Sequence, residues 1–338
     1  MKTPVLIALA VVTAASVAGA AVLVRDRTPT RAAASGGTPV FPAVQGKPGD
    51  VAQIVVTRAD GAYTLTRKGD QWVLADRADY PVKAELVTPT VQVLADLRLM
   101  EQKTAREALL ARLQVEDPAK PGAKSTLVAL KNAQGQEIGK IILGKPRPDS
   151  LENPRAGIYV RKPGEQQAWL AEGDPRVKPG VSDWLDKNFL SVKLDRVREV
   201  ATIAPDRARL VINRAKPDDK DFAIYNQPAD TKVKAQGSVN DVAGVLDGIA
   251  MEDVQAATAI VFPASGANQA EFRTFDGMVV RVTLAEDKGA TWGRFEVVTE
   301  PWRKTEGDKT AMVEPTDEVK KEAQDLNNRL RNYVFKLN

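Results

Sequence analysis

The sequence predicts an α+β body of two similar tandem subdomains, and three observations predict it. Short runs with period-two alternation recur between hairpin-type turns. Each series of three such runs leads into one stretch of helical periodicity and then into further strands. The matched features of the two series keep a nearly constant spacing: Val51 to Val197, Thr88 to Ser238 and Ser125 to Gln269 are 146, 150 and 144 residues apart. That spacing suggests two copies of one unit of antiparallel meander strands with one or two packing helices.

Ahead of the body, the run from Val5 to Val24 reads VLIALAVVTAASVAGAAVLV, with nothing more polar than Thr13 and Ser16. As a helix it is roughly 30 Å long, the thickness of a bilayer's hydrocarbon core. It is apolar on every face, which argues against a core helix. The small residues Ala18 to Ala21 would suit a signal-peptide cleavage site, but the run exceeds the usual apolar core of about 7–15 residues. The expectation is therefore an uncleaved N-terminal transmembrane helix within residues 1–24, with cleavage as the alternative. Arg25, Arg27 and Arg31 follow the run while Lys2 alone precedes it, and taken alone this flank charge would keep the body in the cytoplasm. Long domains translocate largely regardless of such charges, and a short N-terminus before one apolar run resembles an export signal. The expected address is a bacterial inner membrane, single-pass, with a periplasmic body. Residues 25–47, rich in Ala, Gly, Thr, Ser and Pro, read as a flexible tether.

The first subdomain spans 48–193. It opens with DVAQIVVTR, the Asp60-Gly61 turn, AYTLTR and QWVL. A helix is expected over VTPTVQVLADLRLM, with Thr88 as cap and Pro89 in the first turn. The strands STLVAL, QEIGKIIL, GIYVRK and QAWL follow, and a short helix SDWLDKNFL capped by Ser182 ends the unit. The second subdomain, 194–338, opens with DRVREVATI, ARLVINR and DFAIY. Its helix is expected over SVNDVAGVLDGIAM, capped by Ser238, with Val242, Val245, Leu246 and Ile249 on one face. QAEFRTF, MVVRVTL and RFEVVT are strands. A longer helix follows Pro315, with Val319, Ala323, Leu326, Leu330, Tyr333 and Leu337 as its apolar stripe, although YVFKL could equally end as a strand.

Composition narrows the chemistry. Of 338 residues, 43% are apolar and 27% charged, as in folded domains, and the net charge of +4 is spread too evenly to argue for nucleic acid. With no cysteine and no histidine, thiolate nucleophiles, disulfides, Ser-His-Asp triads and His-held zinc are all excluded. An enzyme here would need carboxylates, Lys, Tyr, Ser or a cofactor.

The local motifs are weak. GKIILGK at Gly139–Lys145 fits the first positions of a phosphate loop, but Pro146 replaces the Ser or Thr, and the apolar run reads as a strand rather than a helix start. Asp218, Asp219 and Asp221 lack the spacing of a calcium loop and read as a hairpin turn. Asp183 and Asp186 flank Trp184, with Glu172 and Asp174 upstream, so a carboxylate-based glycan-binding or glycan-cleaving site is the enzymatic alternative. Helix-dipole and ion-pair roles explain the same acids more simply. Trp72 and Trp169 read as core. Trp302, in the loop-like TEPWRKTEG, is with Arg303 the candidate contact for a partner, edge packing being the plainer alternative. No catalytic, metal or cofactor residue is assigned.

GDQWVL, YPVKAELVTPTVQVLADLRLMEQKT, IILGK, GIYVRKPGEQQAWL, VSDWLDKNFLSV and LNNRLRNYVFKL together resemble the DUF4340 family of uncharacterised bacterial proteins. The resemblance implies a single-anchor envelope protein, and because some members are encoded beside gliding-type ABC-transporter components, an accessory or scaffold role. It supplies no catalytic residues. The functional expectation is a non-enzymatic, membrane-anchored module that binds a protein partner in the envelope.

Overall fold

The structure is a computed structural model. It describes residues 37–147, 156–206, 208–225, 227, 233, 235–263, 265–306 and 309–337. The expected transmembrane helix over residues 5–24 and residues 25–36 of the expected tether lie outside these residues; residues 37–47 are not tether but part of the body, because Thr38–Pro39 pairs as a strand and Val40, Phe41 and Val44 are buried in the core. Among the described residues, no helix is long and apolar enough to cross a membrane.

The class is α+β: antiparallel sheets with four α-helices among the described residues. The first sheet holds β1 (Thr38–Pro39), β2 (Gln53–Arg58), β3 (Gly61–Lys68), β4 (Gln71–Leu74), β5 (Tyr80–Val82), β6 (Arg98–Thr104), β7 (Thr126–Lys131), β8 (Glu137–Arg147), β9 (Gly157–Arg161) and β10 (Ala168–Glu172). The second holds β11 (Asn188–Leu190), β12 (Val197–Ile203), β13 (Arg209–Asn213), β14 (Ala223–Ile224), β15 (Ile249–Ala256), β16 (Asn268–Thr274), β17 (Met278–Asp287), β18 (Ala290–Thr299) and, after a separate hairpin of β19 (Trp302–Glu306) and β20 (Lys309–Val313), the strand β21 (Tyr333–Leu337). The helices are α1 (Ala84–Asp96), α2 (Glu107–Leu113), α3 (Gln236–Gly244) and α4 (Asp317–Leu330).

Both sheets follow one plan. With β5 set aside and the other strands ranked by appearance, each reads 1-5-9-8-7-6-2-3-4; β5 is an extra edge strand of the first sheet beyond β4. In each, the opening three-strand meander pairs through its first strand with a later four-strand meander (β2 with β7, β12 with β16). The last strand of each unit, β10 or β21, is interior, lying between the eighth and the fifth. The expected strands form at these places because their alternation supplies one buried face. Ile54, Val56, Leu65, Val128, Leu130 and Ile141 in the first sheet, and Val200, Ile212, Phe272, Val280, Phe295 and Val297 in the second, belong to one continuous core.

Three helix expectations need correction. α1 starts at Ala84, so Thr88 and Pro89 lie inside it and Lys83 is the cap position. At its predicted end, LRLM, Leu97 is the C-cap and Arg98–Met100 belong to β6 instead, because Leu99 turns inward and the segment pairs with both β1 and β10. α3 starts at Gln236 rather than being capped by Ser238. Ala243 and Leu246 are buried beneath it, Val242 and Val245 are 36% and 51% exposed, and Ile249 opens β15. SDWLDKNFL makes only a 3-10 turn at Val181–Asp183 and then β11, an edge strand on β15. In each case sheet pairing outweighs a local periodicity too short to hold a helix on its own. The last helix forms as expected over Asp317–Leu330, with the Thr316 hydroxyl accepting from Val319 N–H. Ala323 and Leu330 are buried, and Arg196 grips Glu322 through both carboxylate oxygens at 2.8 and 2.9 Å. Tyr333 and Leu337 leave the helical stripe for β21.

The two halves meet through aromatic rings. Phe335 of β21 stacks on Phe189 at 4.1 Å and meets Phe295 edge-on at 5.8 Å. Tyr80 of the first sheet packs edge-on against both Tyr333 (4.9 Å) and Phe335 (6.1 Å). Arg77 adds a bidentate pair to Asp253 at 2.8 and 3.2 Å. Phe335→Ala is expected to lower unfolding free energy by about 3–5 kcal/mol, read as a drop in the urea midpoint. An unchanged midpoint would mean that the seam does not hold the second sheet.

Candidate functional site

The second sheet's outer face is built from charges of alternating sign. In QAEFRTF, VVRVTL and GRFEVVT, each buried apolar residue is followed by a residue turned to the other side. Pairing then sets Glu199 opposite Arg273, Glu271 opposite Arg281, and Arg281 opposite Glu296. Opposite charges facing one another across strands stabilise that register. Arg273 pairs with Glu271, with Glu300 at 2.9 Å and with Glu199 at 3.7 Å. Arg281 pairs with Glu300, with Glu271 at 3.2 Å and with Glu296 at 3.4 Å. A groove of about 710 Å³ is lined by Glu271, Arg273, Arg281 and Glu296 of this ladder together with Arg209, Arg294 and Arg331. These three exposed guanidiniums have no carboxylate within ion-pair distance among the described residues; Arg294 lies 4.3 Å from the Phe262 ring. Sequence reasoning missed this face. Its signal was the alternating-sign charge pattern within three strand runs.

The hairpin β19–β20 leaves the sheet beside Glu300 and pairs with no other described strand. Trp302 fixes its base. The indole Nε1 donates to Phe275 O at 2.9 Å, the Phe275 ring meets it edge-on, and the Arg198 guanidinium covers it at 4.3 Å. Burial pushes the Arg198 guanidinium pKa below its ordinary value, against the pull of Glu199. Gly277 occupies the turn beneath: its φ is +88°, and a Cβ there would lie 2.7 Å from Pro315. Trp302 is thus half-buried edge packing rather than a free contact, whereas Arg303, its sequence neighbour, is exposed. Beyond it, Thr305, Lys309, Thr310 and Ala311 are exposed and Met312 is 52% exposed. Two strands with almost nothing buried on either side form an arm, not a core element.

The other sequence candidates have structural partners. Gly139–Lys145 lies within β8, not at a helix start. Asp219 accepts from the Ala215 and Lys216 amides and Asp221 from Asn240, so KPDDKD is a hairpin connection. Asp183 accepts from Gly180 N–H and Asp186 pairs with Lys83 at 3.1 Å. Asp174 accepts from the Arg176 amide. Trp184 is fully buried, and its Nε1 donates at 2.9 Å to the Tyr63 hydroxyl, which donates in turn to Lys178 O. Trp72 is core, as expected, and Trp169 packs against the core half-buried. No group of three Asp or Glu that could hold a metal occurs among the described residues.

A family model described as a domain of unknown function, DUF4340, matches residues 72–269, more than half of the chain. The match begins in β4 and ends in β16, so it crosses both sheets. No curated protein and no solved structure matches the chain.

Burial pushes the phenols of Tyr63 and Tyr80 up to about 12 from the ordinary 10.0. Between those values the unfolded chain has released protons that the folded one keeps. Stability is therefore full below pH 10 and falls as pH rises to about 12, by up to about 3 kcal/mol per tyrosine. Burial also pushes the Tyr333 phenol up, so absorbance at 295 nm should show three of the five tyrosines ionising late, Tyr63 and Tyr80 among them. Trp302→Ala should cost about 1–2 kcal/mol and make the arm the first site of limited tryptic cleavage; an unchanged digestion pattern would show that the ring does not hold the arm.

Proposed function

This chain belongs to the DUF4340 family, and from that premise we propose that it is a non-enzymatic, membrane-anchored envelope protein that holds a protein partner, with an ABC-type transport complex as the candidate partner. The apolar run Val5–Val24 supports the anchor, and the short N-terminus ahead of it, which resembles an export signal, supports a periplasmic body. The observation that carries partner binding is the β19–β20 arm. Its base is held by Trp302, yet both its strand edges are unpaired among the described residues, and Met312 stands half exposed. A free strand edge is a template for a further strand, and an exposed apolar side chain beside it adds area to bury. The shared strand order of the two sheets supports an origin by duplication of one unit, the copies starting at the matching strands β1 and β11 rather than at residues 48 and 194. The glycan reading loses its footing: Asp183 and Asp186 are engaged locally and Trp184 is inside the core.

A photo-crosslinking residue at Arg303, in the full chain in its native membrane, should yield a covalent adduct with an envelope protein, and Met312→Asp should reduce it about tenfold. Recovery of uncrosslinked chain alone, or of full-length chain in the cytosolic fraction, would overturn the proposal.

A further inference from the structure

The two sheets differ most on one face. In the first, the row Thr57–Leu127–Ile142–Arg161 crosses β2, β7, β8 and β9. The chain covers that face with its own connection between β6 and β7: Leu110 and Leu113 of α2, and Val115 after it, pack on Leu127, Ile142, Tyr159 and Ala168. Arg161 holds this cover from the end of the row. It is buried and donates from Nε to Val115 O at 2.6 Å.

The corresponding row of the second sheet is Ile203–Gln269–Thr283–Arg294, across β12, β16, β17 and β18. The corresponding connection, between β15 and β16, forms no helix among its described residues. It covers only the far end of the face, where Ile260 and Phe262 pack around Trp292 and Ala285. Gln269, Thr283 and Arg294 instead line the groove of about 710 Å³. Arg294 occupies the place of Arg161 but is exposed; among the described residues it lies over the Phe262 ring and donates to no backbone carbonyl.

We infer that this groove binds an acidic polypeptide segment of a partner protein, seated where α2 and Val115 sit in the first half. The inference rests on the partner-binding reading above and names what the partner presents. Three features select this occupant. Arg209, Arg294 and Arg331 surround one groove with no carboxylate partner among the described residues, the charge pattern that a segment bearing carboxylates complements. The counterpart of Arg294 already shows the bond that such a guanidinium makes to a covering peptide, a donation to its backbone carbonyl. Glu271 and Glu296 on the same lining, each paired with a ladder arginine, keep acceptor positions for the backbone amides of a peptide, donors that a nucleic-acid backbone lacks.

The test uses the full chain in its native membrane, with a photo-crosslinking residue at Thr283 in one strain and at Arg303 in another. The expected result is a Thr283 adduct whose partner peptide is rich in Asp and Glu. Its yield should fall about tenfold in the Arg209→Gln, Arg294→Gln, Arg331→Gln triple variant and persist in the matching Arg→Lys triple, which keeps the charges. All three side chains are exposed, so thermal melting of both variants serves as the folding control. A silent Thr283 beside a productive Arg303 overturns the groove and leaves partner binding standing. A Thr283 adduct with nucleic acid, lipid or a segment without acidic excess overturns the groove too, as does a yield indifferent to the Gln triple. Silence at both positions removes partner binding itself.

Discussion

The contact on which the rest of the body depends is the stack of Phe335 on Phe189. Phe335 is fully buried on β21, whose pairing with β15 and β18 joins the two parts of the second sheet. Tyr80 reaches the same ring from the first sheet. One side chain therefore closes a sheet and forms part of the seam between two. Non-directional burial supplies most of the energy, while the edge-on rings around it restrict the relative orientation of the elements that carry them. α4 completes the arrangement where β21 turns away. The Asn327 amide oxygen accepts from Val297 N–H at 3.1 Å, meeting a backbone donor that no strand reaches.

Strands were readable because one buried face per sheet leaves a period-two trace. Nearly every expected strand forms within a few residues of its apolar run. The helices were harder, for a physical reason visible at Leu97–Met100 and Asn188–Leu190. Both are apolar at helical spacing, and both are consumed by pairing with strands distant in sequence. The apolar face drawn through Val242 and Val245 failed similarly, since the helix stops at Gly244 and Gly248, with φ +86°, redirects the chain into β15. Sequence spacing hinted at two copies, but the interior position of the last strand is a long-range property with no local signature.

The functional face was legible only in fragments. Trp302 drew attention as a lone aromatic in a polar stretch, and it proved to be the foot of the arm, with the reach belonging to Arg303 and Met312. The Arg–Glu ladder consists of residues that, taken singly, look like an ordinary solvated strand face. Only register brings Glu199, Arg273, Glu271, Arg281 and Glu296 into one surface. The contrast between the halves adds what neither could supply alone. The same frame is closed by the chain's own side chains on one side and open beside a cationic groove on the other, so the second copy is the one able to engage something external.

The interior place of β10 and β21 has a consequence for the order of synthesis. The first sheet lacks its last strand until residues 168–172 have emerged, and it then has its full set while the second is still being made. The second stays an open, edge-exposed array until residues 333–337 arrive. Such late, sequence-distant closure makes for slow, aggregation-exposed folding. The half that carries the groove and the arm is therefore the vulnerable one during vectorial biogenesis, and a chaperone that masks free strand edges would act chiefly on it.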